Sequence, residues 1–134
     1  MTEEFRMRIL IVDDDHFTLL AMARPLRKAG YEVVEAMRAE QIMTAAEHGE
    51  FTVALIDIFM PGMGGIEAIQ RIHAGSPECK IYAVTAGMGD LSAEDTIKAA
   101  VKIGADGGFE KPVNIDALLD IVGKIGPPTN ETTS

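Results

Sequence analysis

The chain has 134 residues, 47% of them hydrophobic, and a formal net charge of −9 from 21 acidic and 12 basic residues. This length suits one domain with a buried core, and the acidic balance argues against direct binding to DNA or RNA. The single Cys79 cannot form an internal disulfide, and no stretch is long and apolar enough to enter a membrane, so we expect a soluble, cytoplasmic protein.

Five short aliphatic runs alternate with longer segments whose apolar residues recur at helical spacing. This pattern predicts βα units around a parallel sheet, an α/β fold. The predicted strands cover residues 8–12, 32–36, 53–58, 80–84 and 108–110. The predicted helices cover residues 16–29, 39–48, 65–74, 93–103 and 114–125.

Several residues indicate how these helices end. Pro25 lies inside the first helix and removes a backbone donor, which predicts a kink or an early weakening there. The last residues have nothing apolar to pack, so we expect a domain at 1–126, with its core at 8–125, and a flexible tail at 127–134. Four glycines follow predicted helices, where a left-handed C-cap is expected: Gly30, Gly49, Gly75 and Gly104.

Polar side chains follow four of the five predicted strands: Asp13, Asp14 and Asp15 after the first, Asp57 near the end of the third, Thr85 after the fourth and Lys111 after the fifth. The carboxyl ends of parallel strands share one edge of a sheet, and ligands bind there, where neighbouring connections leave in opposite directions. The second strand ends at Ala36 instead, which indicates a place at the margin of the sheet. We therefore expect these polar groups to form one site.

The polar groups at this edge match the needs of phosphoryl transfer. Gathered carboxylates repel one another unless a cation neutralises them, so the aspartates predict a hard ion such as Mg²⁺ or Mn²⁺. A carboxylate can attack a phosphoryl donor when a metal, a cationic side chain and a hydrogen-bond donor stabilise the transferred oxygens. Asp57 fits the nucleophile, Lys111 the cation and Thr85 the hydroxyl donor.

At these residues the sequence closely resembles the receiver domains of response regulators, over residues 8–125. The resemblance implies a flavodoxin-like (βα)5 fold, a doubly wound parallel sheet in the order 2-1-3-4-5 inside a three-layer α/β/α arrangement. It depends on four motifs in order: ILIVDDD at 9–15, DIFMPGMGG at 57–65, VTA at 84–86 and GADGGFEKP at 104–112.

The resemblance also implies a metal site around the phosphoacceptor, Asp57. Asp14 and Asp57 would bind Mg²⁺ directly and Asp13 largely through water, and the backbone carbonyl of Phe59 would complete the protein's share of the ligands.

The same resemblance implies the residues that face the phosphoryl group. Thr85 and Lys111 would contact it, small Ala86 would leave it room, and the peptide between Lys111 and Pro112 would be cis.

Some polar and apolar residues near the motifs have simpler interpretations. Asp15 directly precedes a helix, where a carboxylate caps free amides, so we interpret it as a cap. Met60 and Met63 are interpreted as packing under the loop after Asp57 rather than as metal ligands. The three histidines have no ligand-like spacing.

Two departures from the receiver pattern predict unusual behaviour. Most receivers carry a switching aromatic residue three positions before the lysine, but Gly108 stands there, and Phe109 is expected to face the core. Output is therefore expected to pass through the loop at 85–91, where Gly87 is permissive, and through the helix behind it. Neither Phe59 nor Gly87 can orient an attacking water, which predicts slow loss of the phosphoryl group.

The resemblance implies a stand-alone response regulator of a two-component system or phosphorelay. Its partners would be a sensor histidine kinase or a histidine phosphotransfer protein, and a downstream protein target. It would catalyse only its own phosphorylation and dephosphorylation, and dimerisation through the fourth and fifth helices stays open.

Two alternatives remain at this point. The chain could be a pseudo-receiver that binds a partner without phosphorylation. The pair Asp13 and Asp15 also matches, superficially, the paired aspartates of haloacid-dehalogenase-type phosphatases, although Phe17 stands where those enzymes have Thr or Val and Asp57 is left unexplained.

Overall fold

A computed structural model of the chain describes residues 7–60 and 62–128. Strands and helices alternate in these ranges, in good agreement with the predicted elements. The strands are β1 (Arg8–Val12), β2 (Glu32–Ala36), β3 (Val53–Asp57), β4 (Lys80–Thr85) and β5 (Gly107–Glu110). The helices are α1 (His16–Lys28), α2 (Ala39–His48), α3 (Gly65–Gly75), α4 (Ala93–Lys102) and α5 (Ile115–Ile125).

The five strands form one parallel sheet in the order β2-β1-β3-β4-β5, which confirms the predicted fold class and topology. Val12 lies beside both Ala36 and Ile56, and Asp57 lies beside Val84. The carboxyl ends of the strands are therefore aligned at one edge.

Helices cover both faces of this sheet, so the aliphatic runs of β1 and β3 are buried on both sides. Leu10 and Val12 pack with residues of α2, α3 and α4, whereas Ile9 and Ile11 pack with residues of α1 and α5. Alternate residues of a strand thus pack into two separate cores, one on each face of the sheet. The result is the predicted arrangement of three layers, with helices on both sides of the sheet.

The ends of the domain lie near one another at the amino-terminal edge of the sheet. Arg8, which opens β1, pairs in register with Glu32 of β2. The hydroxyl of Tyr31, just before β2, donates a hydrogen bond of 3.3 Å to the carbonyl of Gly126, just after α5. Both ends of the folded unit are therefore opposite the polar edge.

The helix α1 continues past Pro25 to Lys28, as predicted, and the amide of Ala29 donates to the Pro25 carbonyl at 3.0 Å; the kink or weakening expected at Pro25 stays a prediction. The expected left-handed C-caps are present at two of the four glycines. Gly30 and Gly104 do have positive φ values of 100° and 128°. Gly49, with φ of −105°, does not.

The glycines that are not left-handed serve close packing instead. Gly75 is the last residue of α3, and a Cβ placed there would collide with the Ala46 carbonyl of α2. A Cβ at Gly49 would collide with the ring of Phe51. These two positions need a small residue because neighbouring elements approach, not because of their φ angles.

The predicted division into a domain and a tail stays a prediction, and residues 129–134 lie outside the described residues. In the part of the chain that the structure covers, no helix has the length and hydropathy needed to span a membrane.

We expect Gly75→Ala to lower the free energy of unfolding by about 1 to 3 kcal/mol, because its Cβ overlaps backbone atoms that cannot move aside. Urea denaturation measures this loss. Gly123→Ala, inside α5, is the matched control, since a Cβ there meets only the Tyr31 hydroxyl at 4.0 Å, and it should not lower stability. Equal stability of the two variants would contradict the close approach of α2 and α3.

Candidate phosphoryl-transfer site

Three carboxylates converge at the carboxyl-terminal edge of the sheet. One oxygen from each of Asp13, Asp14 and Asp57 lies within 4.8 Å of the others. Asp13 is fully buried and Asp57 is 6% exposed, whereas Asp14 faces solvent. The predicted convergence of residues from β1 and β3 is therefore present.

The backbone holds Asp13 rigidly in this cluster. Its amide donates to the carbonyl of Ala36 at 3.1 Å, which extends the pairing of β1 with β2 by one residue. Its Oδ1 accepts a hydrogen bond of 2.9 Å from the amide of Asp15. This amide contact was not foreseen from the sequence, although a short polar side chain just before a helix is the usual signal for one.

Lys111 brings a positive charge to the two buried carboxylates. Its Nζ lies 3.0 Å from Oδ2 of Asp13 and 3.5 Å from Oδ1 of Asp57. Its amide donates to the carbonyl of Thr85 at 2.9 Å, and its peptide bond to Pro112 is cis, as the resemblance implied. The lysine therefore spans from β5 to the ends of β1 and β3.

Burial and like charge make Asp57 unusually basic. Burial is the larger cause and the neighbouring Asp13 the second, and together they raise the pKa of Asp57 to about 6 although Lys111 opposes them. Burial would lower the pKa of Lys111, but the carboxylates of Asp13 and Asp57 outweigh it and the pKa rises. One ammonium thus compensates two buried carboxylates incompletely.

The buried Oδ2 of Asp13 has the Lys111 ammonium, 3.0 Å away, as its positive partner, and the same ammonium also serves Asp57. Buried carboxylate oxygens are normally satisfied by donors or by a metal. The cluster of Asp13, Asp14 and Asp57 is oxygen-only and therefore fits Mg²⁺.

Thr85 lies at the end of β4 and is 1% exposed. Its Oγ1 accepts a hydrogen bond of 2.9 Å from the amide of Gly87, whose φ is +86°. A hydroxyl that accepts one bond keeps its own proton for donation. Ala86 follows as a small, exposed residue, and its role of leaving room for a phosphoryl group stays a prediction.

The residues with simpler interpretations behave as expected. Asp15 caps α1, because its carboxylate accepts from the Phe17 amide at 3.3 Å and from the Thr18 hydroxyl at 2.6 Å. The Thr18 bond is the main reason that the pKa of Asp15 is lowered. Met60 and Met63 are buried in the core.

Three further residues were singled out near the site, and the structure gives the position of each. Phe109 is 8% exposed and packs in the core beneath α1 and α5, which confirms its inward direction. Gly108 faces the opposite side and contacts α4. The amide of Phe59 approaches Oδ1 of Asp57 at 3.4 Å, and the metal role of its carbonyl stays a prediction.

A cleft of about 700 Å³ adjoins the cluster on the side of Asp14. Its other walls come from the first turn of α2 and from the loop after β3, including Arg38 and Gly62. This cleft could not be predicted from the sequence, because its walls are far apart in the chain. It leaves the Asp14 carboxylate accessible from solvent.

We expect Asp57→Asn to stabilise the metal-free protein at pH 8 by about 1 to 3 kcal/mol. The pKa of Asp57 in the fold, about 6, exceeds its ordinary 3.8, so the folded state binds this proton more tightly than the unfolded state. The charge therefore costs stability above pH 6, and the gain from Asn should fade as the pH falls towards 4. Urea denaturation with a chelator at pH 8 and pH 4.5 measures this gain in stability.

Asp120→Asn, at an exposed position of α5, is the control. An equal gain from Asp57→Asn at both pH values would rule out the charge as its cause.

Comparison with known proteins identifies relatives with the same elements. The sequence model of the response regulator receiver domain matches residues 9–123. Sporulation initiation phosphotransferase F of Bacillus subtilis is 31% identical, over 90% of this chain and 94% of that protein. Chemotaxis protein CheY of Thermotoga maritima is 30% identical, over 88% and 96%. A solved CheY-like receiver structure from Methanospirillum hungatei is 36% identical, with a TM-score of 0.77 over 90% and 93%.

Other relatives are much longer than this chain. A cyclic di-GMP phosphodiesterase of Thermotoga maritima is 38% identical over 84% of this chain, which spans 29% of that protein. The chain spans 17% of the sensory/regulatory protein RpfC of Xanthomonas campestris, at 26% identity. Since the family model covers most of the chain, and the fold and the aspartate cluster agree with it, this protein belongs to the response regulator receiver domain family of two-component signalling.

Proposed function

We propose that this receiver is phosphorylated on Asp57 in a Mg²⁺-dependent reaction, by a histidine kinase or a histidine phosphotransfer protein. The observation that carries the proposal is the juxtaposition of a buried, basic Asp57 carboxylate with the Lys111 ammonium and with two further aspartates that can hold a metal. Receiver domains as a family interact with such kinases and phosphotransfer proteins.

The chemistry is an in-line displacement at phosphorus. An oxygen of Asp57 forms the new bond, the bond from phosphorus to the donor nitrogen breaks, and the imidazole leaves with the electron pair. Asp14 and Asp57, with Asp13 acting through water, would hold Mg²⁺, which would supply positive charge for the phosphoryl oxygens and favour the ionised, nucleophilic form of Asp57.

Two side chains of the protein stabilise the transferred group. Lys111 already lies 3.5 Å from Asp57 and therefore meets the phosphoryl oxygens without rearrangement of the backbone. The Thr85 hydroxyl keeps its proton for a phosphoryl oxygen while its own oxygen accepts from Gly87. Ala86 adds no bulk beside that bond.

We propose that the phosphorylated form acts by binding another protein, or passes its phosphoryl group onward. The likeness to sporulation initiation phosphotransferase F, which covers 94% of that relative, supports the second role. We further propose that the domain at 1–126 works in the cytoplasm and catalyses only its own phosphorylation and dephosphorylation. Gel filtration of the labelled protein tests whether phosphorylation drives dimerisation through α4 and α5.

Acetyl phosphate with Mg²⁺ should add one phosphoryl mass to the protein, located on Asp57 by peptide mass spectrometry. Asp57→Asn and removal of Mg²⁺ by a chelator should each abolish the addition, and Lys111→Ala should lower its rate by about 100-fold. Asp15→Asn is the matched control, because Asp15 caps α1 outside the aspartate cluster, and it should react normally. No addition to the natural protein would favour a pseudo-receiver that binds its partner without phosphorylation.

The phosphoryl group should be lost slowly, because neither side chain flanking it can orient water. Phe59 is apolar and Gly87 has no side chain. We expect Phe59→Asn to speed the decay of labelled protein by roughly threefold or more, since an amide can position the attacking water. Phe59→Leu keeps the apolar character and should leave the rate unchanged. Decay of Phe59→Asn at the natural rate or slower would contradict this account.

A further inference from the structure

The space above Gly108 of β5 is filled by a side chain from α4. A Cβ built on Gly108 would lie 2.7 Å from Cγ1 and 2.8 Å from Cγ2 of Ile97. It would also lie 2.8 Å from the carbonyl of Ala83 on β4. Ile97 therefore rests directly on the backbone of β5, at a position where any side chain would displace it.

Ile97 is the main large side chain that attaches α4 to the sheet. The buried residues of α4 are Ala93, Thr96 and Ala100, which are all small. By contrast, α3 buries Ile69 and Ile72. Ile97 is half-buried, whereas Val101 of the same helix is exposed, so Ile97 supplies most of the large apolar surface that α4 turns to the sheet.

The amino end of α4 is connected to the phosphorylation site by short contacts. The amide of Gly87 donates to Oγ1 of Thr85 at 2.9 Å. A Cβ on Gly87 would lie 2.5 Å from the carbonyl of Leu91 and 3.0 Å from the amide of Ala93, the first residue of α4. Gly87 is thus packed between Thr85 and the start of α4.

The loop between Gly87 and the start of α4 is held by its own hydrogen bonds. The amide of each of Met88 and Leu91 donates to the carbonyl of the other, both at 2.9 Å. Ser92 then caps α4 by accepting from the Asp95 amide at 3.0 Å. Thr85 and the cap of α4 are thus connected by a loop that is itself hydrogen-bonded.

We propose that Ile97 is the residue that couples Asp57 to the surface of the domain, by holding α4 on Gly108 before phosphorylation and sliding along β5 after it. This inference rests on the proposed function. When the Thr85 hydroxyl turns to a phosphoryl oxygen, the Gly87 amide follows and the start of α4 shifts. Since Gly108 has no side chain, the methyl groups of Ile97 meet only backbone as they slide.

The test is hydrogen exchange of residues 93–102 and 107–110, with Mg²⁺ alone and with Mg²⁺ and beryllofluoride as a stable phosphoryl mimic. In the natural protein the mimic should change exchange in both segments by about threefold or more. In Ile97→Ala, exchange of residues 93–102 should already be faster by about fivefold without the mimic, and the mimic should no longer alter residues 107–110.

Two further variants separate the contact from general packing. Ile97→Val keeps both γ carbons that meet Gly108 and should respond as the natural protein does. Val101→Ala removes two methyl groups from the same helix at a position that is 46% exposed, and it should also respond normally. If Ile97→Ala does not fold, Ile97→Leu takes its place, because it lacks Cγ2 but keeps the volume. It should show the same two changes in exchange, with smaller size.

A normal response of residues 107–110 in Ile97→Ala, or in Ile97→Leu where that variant replaces it, would overturn the inference. So would a response of the natural protein that leaves exchange of residues 93–102 unchanged. Labelling of Asp57 by acetyl phosphate is measured on the same samples. Loss of labelling in the natural protein would overturn the proposed function itself, whereas normal labelling with an unchanged α4 would overturn only the role of Ile97.

Discussion

The site depends on the contact between one ammonium and two buried carboxylates. Lys111 lies 3.0 Å from Asp13 and 3.5 Å from Asp57, yet the pKa of Asp57 still rises to about 6. A single cation is therefore insufficient for the negative charge that the fold gathers. This deficit makes the site receptive to a divalent cation, and it leaves Asp57 more basic than an ordinary aspartate.

Much of this arrangement could be predicted from local sequence. Each strand is a short aliphatic run, and a polar residue directly after such a run must lie at the carboxyl edge of a parallel sheet. For that reason the sequence alone predicted that three side chains lie close together: Asp13, Asp57 and Lys111. Asp15 was separated from them correctly, because a carboxylate just before a helix has a nearer use as a cap.

Features that depend on contacts between distant elements could not be predicted in the same way. Gly75 has the sequence signature of a left-handed cap but is needed for the approach of α3 to Ala46 of α2. Ile97 looks like any apolar residue at helical spacing, and only its position above Gly108 gives it significance.

The two ends of the folded unit lie together at the amino-terminal edge of the sheet. There the hydroxyl of Tyr31, just before β2, donates a hydrogen bond to the carbonyl of Gly126. All the reactive side chains lie at the other edge. Additional protein could thus be joined before Arg8 or after Gly126 without covering Asp57. A domain with this geometry can therefore be joined to other domains or occur without them. This agrees with its relatives, since the matching segment makes up 29% of one relative and 94% of another.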